Sequence, residues 1–339
     1  MNNFQYIKSL ASDEAVASVS SDANAGFLAG GTNILDLWKY NLVHPSKLID
    51  INSIEELRSI TELNNGGVML GALVTNATTA YHPLIEAGYP LLSKAILAGA
   101  SPQIRNMATN GGNLLQRTRC YYFYDPDVPC NKREPGSGCP AINGYNRIHA
   151  ILGTSDDCIA VFPSDMCVAL AALAAIVHVE GSEGKRQIPF KDFHRLPGNT
   201  PEIDNTLRHG ELITGIELPE SGFEKNYSYL KLRDRRSYAF ALVSVATAFE
   251  LDGDIILHAR LALGGVAHKP WRSEEAELYL KGQIATRENF AIAADIILKE
   301  AKGYGHNDFK IELAKRAIVR NCMMALHPES QRPGAQPSV

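Results

Sequence analysis

The sequence predicts an α+β fold in two or three domains, and three observations carry that prediction. The chain has 339 residues, more than one hydrophobic core usually organises. Over roughly the first 220 positions, short apolar runs alternate with helical patterns. From Asn226 onward, consecutive strand-like runs give way to a helical stretch. Hydrophobic residues make up 45% and charged residues 21%, an ordinary globular balance.

Phe4 to Tyr6 reads as a short first strand, followed by a polar stretch from Ser9 to Ala25. Phe27, Leu28 and Ala29 form an apolar strand that runs into Gly30-Gly31-Thr32-Asn33, and a helical pattern starts at Ile34. Paired glycines permit positive φ and let the backbone come close to a ligand. Thr32 or Asn33 is placed to cap the helix, whose first N–H groups attract anions. Taken alone, this turn reads more simply as a plain strand-turn-helix without a ligand. The turn is not the Gly-x-Gly-x-x-Gly dinucleotide fingerprint.

Leu48 to Ile51 and Val68 to Leu73 read as strands, with a turn at Asn65-Gly66-Gly67. Pro90 to Gly99 reads as a helix stopped by its glycine. Then Thr109-Asn110-Gly111-Gly112-Asn113 repeats the Gly-Gly-Asn pattern about eighty residues after the first. Two such loops can clasp a pyrophosphate from two sides through backbone N–H groups.

Four of the six cysteines come next: Cys120, Cys130, Cys139 and Cys158, with nine, eight and eighteen residues between them. Iron–sulfur clusters are commonly held by four thiolates. Zinc more often shows paired Cys-x-x-Cys spacing, absent here. The intervening loop is rich in proline and glycine, and so long an irregular segment needs an anchor or a function. Four free cysteines in an unordered insert is the plainer alternative. Gly136 to Ala141 formally fits Gly-x-Gly-x-x-Ala, but no strand precedes it and it is set aside. The aromatic run Tyr121 to Tyr124 either shields a cluster or packs under a loop.

Ser164 or Asp165 caps an apolar helix from Met166 to Ile176, and capping alone accounts for Asp165. Cys167 inside that helix reads as a small core residue. Ile176 to Val179, Arg186 to Ile188 and Glu211 to Leu218 are further strands, and Ser221-Gly222 marks a boundary. Beyond it, Tyr227 to Leu232, Phe240 to Leu251 and Ile255 to Leu263 form one sheet, with a hairpin turn at Asp252-Gly253. Ser273 to Leu326 is mostly helical, and a loose tail follows from Pro328. The charged run Lys231 to Arg236 is either a solvated edge or brings a lysine to a flavin. His194, His209, His258 and His268 are scattered and read as structural.

A formal net charge of −4 gives no footprint for nucleic acid. No apolar run is long enough to span a membrane. The N-terminus lacks a basic region followed by an apolar one, so no signal peptide of its own is predicted. No nucleophile elbow, His-Glu-x-x-His or phosphate-loop motif occurs.

With these pieces placed, the chain resembles the flavin-binding subunits of the molybdenum hydroxylases, the xanthine dehydrogenase family. The resemblance spans nearly the whole sequence. It rests on AGGTNILDLWK at 29–39, ATNGGNLLQRTRC at 108–120, PSDM at 163–166, GELITGIELP at 210–219 and KLRDRRSYAFALVSVA at 231–246. The cysteine loop is not general in that family. It is similar to the insert of the periplasmic aldehyde oxidoreductase flavin subunits, and a related insert occurs in those of the hydroxybenzoyl-CoA reductases. Those inserts carry a [4Fe–4S] cluster.

The resemblance implies a two-lobed FAD-binding domain over 1–220, of the vanillyl-alcohol-oxidase type, with the cluster insert at about 118–160. A smaller α+β domain over 226–327 and a tail over 328–339 follow. It implies FAD held at Leu28, Ala29, Gly30, Gly31, Thr32, Asn33 and Ile34, and at Thr109, Gly111, Gly112 and Asn113. Asp165, Ile213 and Lys231 match further FAD positions. Positive charge beside the flavin would stabilise its reduced form. Cys120, Cys130, Cys139 and Cys158 are the implied cluster ligands, and no catalytic residue is assigned. Asn110 departs from the apolar residue or threonine of many members. The implied function is an oxidoreductase subunit in a heterotrimer with a molybdenum-cofactor large subunit and a [2Fe–2S] small subunit. Electrons would pass through FAD to an external acceptor. A stand-alone flavin reductase or oxidase and a zinc-stapled interaction protein are the alternatives. The compartment is cytoplasmic by default, or periplasmic if the chain is exported folded on a partner's signal.

Overall fold

The chain opens on a parallel three-stranded sheet. In this computed structural model, which describes residues 3–220 and 223–327, β1 (Gln5–Lys8), β2 (Ala25–Leu28) and β3 (Lys47–Asp50) pair in the order β1-β3-β2. Parallel pairing needs a crossover, and the helix Ser12–Ser20 supplies the first. It lies in the polar stretch where the sequence showed no element. Ala15, Val16 and Val19 turn inward from it to meet Ile49, Ile51 and Leu57 in a small core.

A second, antiparallel sheet follows. Its strands are β4 (Ile60–Glu62), β5 (Val68–Gly71), β6 (Ile176–Gly181), β7 (Gly184–Pro189) and β8 (Leu212–Leu218), ordered β4-β5-β8-β6-β7. The helices Pro90–Ala98 and Asp165–Ala172 pack with it into the largest core. These two sheets are the two lobes.

The third sheet is β9 (Asn226–Leu232), β10 (Val243–Asp252), β11 (Ile255–Gly264) and β12 (Trp271–Arg272), ordered β12-β11-β10-β9. β10 and β11 form the hairpin at Asp252-Gly253, where Gly253 takes φ 57°. Side chains alternate across a strand. Val243, Val245 and Phe249 face the C-terminal helices, whereas Ala246 and Ala248 join the core of the second lobe. Both faces are covered, which is why these strands read as almost continuous apolar runs. The helices Glu274–Leu280, Arg287–Leu298 and Phe309–Ala325 close the outer face.

The cysteine insert wedges against this third unit. Ile151 and Leu152 belong to its core, and both donate backbone N–H groups to the Val266 carbonyl. Lys310, wholly buried, donates from Nζ to the carbonyls of Ile148 (3.3 Å), His149 (2.7 Å) and Gly265 (2.6 Å). Apart from the four-residue helix Tyr121–Tyr124, the insert is turns up to the cap of Asp165–Ala172. The predicted boundary at Ser221-Gly222 and the tail from Pro328 lie outside the described residues.

Candidate functional site

The two glycine turns meet. A Cβ placed on Gly30 would sit 1.8 Å from the Met107 carbonyl oxygen, so only glycine lets the first turn lie against the lead-in to the second. Gly31 has φ 71°, the left-handed region that favours glycine. Asn33 holds the N-cap position of the helix Ile34–Lys39 without a side-chain capping bond. Its Oδ1 instead accepts the Arg117 N–H at 3.1 Å, tying the first turn to the segment after the second. The expected side-chain cap from Thr32 or Asn33 is therefore absent. Asn33 Nδ2 is buried and has no partner among the described residues, so a donor is left for a ligand.

The second turn is one turn of helix, Asn110–Leu114, rather than a loop. Thr109 caps it by accepting the Gly112 N–H at 3.3 Å. Its two glycines differ in role. Gly111 is buried against Ala72, with Ile213 next to it, so it serves packing. Gly112 is exposed, and a Cβ there would meet only the Thr109 hydroxyl that takes its N–H, so no other atom crowds this side of the turn. Asn110 is fully buried. It accepts from Asn76 Nδ2 (3.2 Å) and Thr79 Oγ1 (3.0 Å) and donates to the Gly71 carbonyl (3.3 Å). It braces the turn from beneath, which explains an amide where an apolar side chain would also fill space.

Asn113 carries the site onward. Its Oδ1 accepts the Ser164 hydroxyl at 2.5 Å, and Ser164 caps the next helix by accepting the Cys167 N–H. Asp165, the first residue of that helix, leaves the cap to Ser164 and turns its carboxylate elsewhere. Its carboxylate accepts Tyr229 Oη at 2.7 Å and Lys231 Nζ at 2.8 Å. Lys231 also donates to the Ala98 carbonyl at 3.1 Å, and its side chain is 4% exposed, so it is not a solvated edge. The rest of the charged run, from Arg233 to Arg236, is half-buried to exposed. A cleft of about 420 Å³, which neither Asp165 nor Lys231 lines, is bounded by Tyr81, Ala100, Ser101, Arg105, Ser237 and Tyr238, among others. Ala100 and Tyr238 both take φ 51°, a strained conformation that tends to gather at ligand sites. No spacing in the sequence pointed to Tyr81 or Tyr238.

Cys120, Cys130, Cys139 and Cys158 all line one cavity, together with Thr118, Lys132 and His149. Burial pushes the thiol of Cys120 up to about 12 and that of Cys158 to about 11, and it raises Cys139. Backbone N–H groups nonetheless point at these sulfurs: Phe123 and Tyr122 at Cys120, Ile159 and Ala141 at Cys139, and Ala160 at Cys158. His149 Nε2 lies 3.1 Å from Cys120 Sγ. Among the described residues, no three His, Cys, Asp or Glu side chains converge tightly enough for a single ion. Four sulfurs thus surround one cavity, and three of them, Cys120, Cys139 and Cys158, are met by backbone N–H donors. Cys167 and Cys322 are buried in separate apolar cores, away from this cavity.

Residues 2–221 match the family described as the FAD binding domain in molybdopterin dehydrogenase, and residues 227–325 match the CO dehydrogenase flavoprotein C-terminal domain. The chain is 47% identical over 319 residues to the aldehyde oxidoreductase FAD-binding subunit PaoB of Escherichia coli (strain K12), covering 94% of this chain and 96% of that one. It is 29% identical to the glyceraldehyde dehydrogenase medium chain of Sulfolobus acidocaldarius, over 87% and 86% of the two. Among solved structures, carbon monoxide dehydrogenase from Hydrogenophaga pseudoflava superposes with a TM-score of 0.75 at 27% identity, covering 96% of this chain and 98% of the matched one.

Proposed function

The chain belongs to the FAD-binding subunits of the molybdenum hydroxylases, and from this we propose that it serves a molybdenum-dependent aldehyde oxidoreductase as its electron-exit subunit. The aldehyde assignment is supported by the 47% identity to the aldehyde oxidoreductase subunit. The complex is a heterotrimer with a molybdenum-cofactor large subunit and a [2Fe–2S] small subunit. Bound FAD supplies the chemistry that lets electrons arriving from the [2Fe–2S] clusters leave to an external acceptor. The observation that carries the reading is the joined pair of turns, with Gly30 against Met107 and Asn33 bonded to Arg117.

The chain's own residues have distinct tasks in this reading. Gly30 to Asn33, Thr109, Gly112 and Asn113 hold the pyrophosphate, with Leu28, Ala29 and Ile34 flanking the first turn. Gly111 and Ile213 support the second turn from within. Asp165 and Lys231 set the charge at the flavin. Cys120, Cys130, Cys139 and Cys158 hold a [4Fe–4S] cluster. Support for the cluster comes from the shared cavity and its N–H donors. The chain reaches the periplasm if a signal-bearing partner carries it there.

Co-expression with the neighbouring subunits tests the reading. The complex should contain FAD and molybdenum, and aldehyde should bleach its flavin absorbance under anaerobic conditions. Gly31→Val forces a β-branched residue to φ 71°, and at least a tenfold loss of bound FAD is expected. Full flavin content in that variant overturns the pyrophosphate site. Aldehyde oxidation by the isolated chain would favour the stand-alone flavoenzyme instead.

A further inference from the structure

Tyr229 joins Asp165 and Lys231 in one buried polar set, and Ser244 also bonds the Tyr229 hydroxyl. Tyr229 and Lys231 stand two apart on β9, so they share a face. Asp165 faces both from the start of the helix Asp165–Ala172. All three are buried, at 4%, 8% and 9% exposure. Each carboxylate oxygen has its own donor, Tyr229 Oη at 2.7 Å and Lys231 Nζ at 2.8 Å. An ammonium carries three protons. Two are directed at Asp165 and the Ala98 carbonyl, and the third has no partner among the described residues.

We propose that Tyr229 is a positioning residue for the flavin, acting through Asp165 on Lys231. The tyrosine hydroxyl pins one carboxylate oxygen. The other then holds the ammonium in one orientation and offsets its charge. The flavin is thereby left with a single aimed N–H beside a nearly neutral pair, rather than a bare cation. Burial keeps the phenol protonated and raises it well above its ordinary value, so it stays a donor at every working pH. The inference rests on the reading that Lys231 faces the flavin.

The test is the FAD midpoint potential of the intact complex, measured with flavin content in each variant. Lys231→Met leaves a buried carboxylate and should lower the potential. Asp165→Asn leaves an uncompensated ammonium and should raise it. The double variant Asp165→Asn/Lys231→Met carries no buried charge and should return near the wild-type value. It also serves if Asp165→Asn alone fails to fold. Tyr229→Phe should shift the potential in the wild-type background and cause no further shift once Asp165 is Asn, since interaction terms vanish when the shared partner is gone. Equal shifts from Tyr229→Phe in both backgrounds, or shifts of the same sign from Asp165→Asn and Lys231→Met, overturn the proposal. If Lys231→Met holds full FAD at an unchanged potential, Lys231 does not face the flavin, and the underlying reading falls with the proposal.

Discussion

His194 shows how much one enclosed side chain governs. It packs between Phe162, at 4.2 Å between ring centres, and Phe193, at 4.8 Å. Nε2 donates to the Leu114 carbonyl at 2.8 Å, just behind the second glycine turn. Burial pushes the ring down to about 4. A base with a depressed folded value stays neutral while the unfolded chain takes up a proton, so stability falls as pH drops from 6.5 toward 4. The loss amounts to about 3 kcal/mol for this group alone. Unfolding midpoints followed by tryptophan fluorescence should drop across that window in wild type, and less steeply in His194→Gln. A flat profile from pH 7 to 4 would rule out the buried neutral ring. Its structural role was readable from its position in the sequence, but its place behind the turn was not. The same limit applies to Gly30 and Lys231. Paired glycines were visible, yet the carbonyl of Met107 that forbids a side chain lies 77 positions away. Lys231 stood in a charged run that looked solvated, and only its bonds to Asp165 and Ala98 separate it from its neighbours.

At the scale of the element, caps and turns were the most legible features. Ser164 capping, Gly99 ending its helix and the Asp252-Gly253 hairpin all appear where local chemistry put them. The helix Ser12–Ser20 was missed because its inward face, Ser12, Ala15, Val16 and Val19, offers few apolar side chains in a polar run. The cysteine insert has little regular structure, so its order must come from outside itself. Part comes from Lys310 and Val266 in the C-terminal unit. The rest should come from metal–thiolate bonds, which offset the ordering entropy of the loop. Each of Cys120→Ser, Cys130→Ser, Cys139→Ser and Cys158→Ser should therefore lose iron and acid-labile sulfide. Each should also open 121–158 to proteolysis. Cys167→Ser and Cys322→Ser should keep full iron, because each is packed in an apolar core. Iron retained in Cys139→Ser together with iron lost in Cys167→Ser would reverse the ligand set.

For the whole molecule, the division into a flavin-binding part and a C-terminal part was legible from the change of pattern at Asn226. What no periodicity reveals is that the third sheet has two owners. Tyr229, Ala246, Ala248 and Ala262 complete the core of the second lobe, and the opposite face completes the core of the C-terminal helices. Residues 226–327 expressed alone would present that alanine face to water. They should be insoluble or aggregate, while the intact chain should unfold in a single calorimetric transition. Two well-separated transitions in the intact chain would show the parts to be independent.

That shared sheet bears on how relatives can exchange pieces. The matched stretches end at 221 and resume at 227, which invites recombination at that seam. A hybrid spliced there would join a foreign sheet to helices shaped around Ala246, Ala248 and Ala262. Larger residues at those three sites would have to be accommodated by Pro90–Ala98 and Asp165–Ala172, the helices that deliver Ala98 and Asp165 to Lys231. A graft that folds with a poor fit would thus betray itself first in the colour and redox behaviour of the flavin. Successful hybrids should be those that carry β9, β10 and β11 together with the two helices they press against.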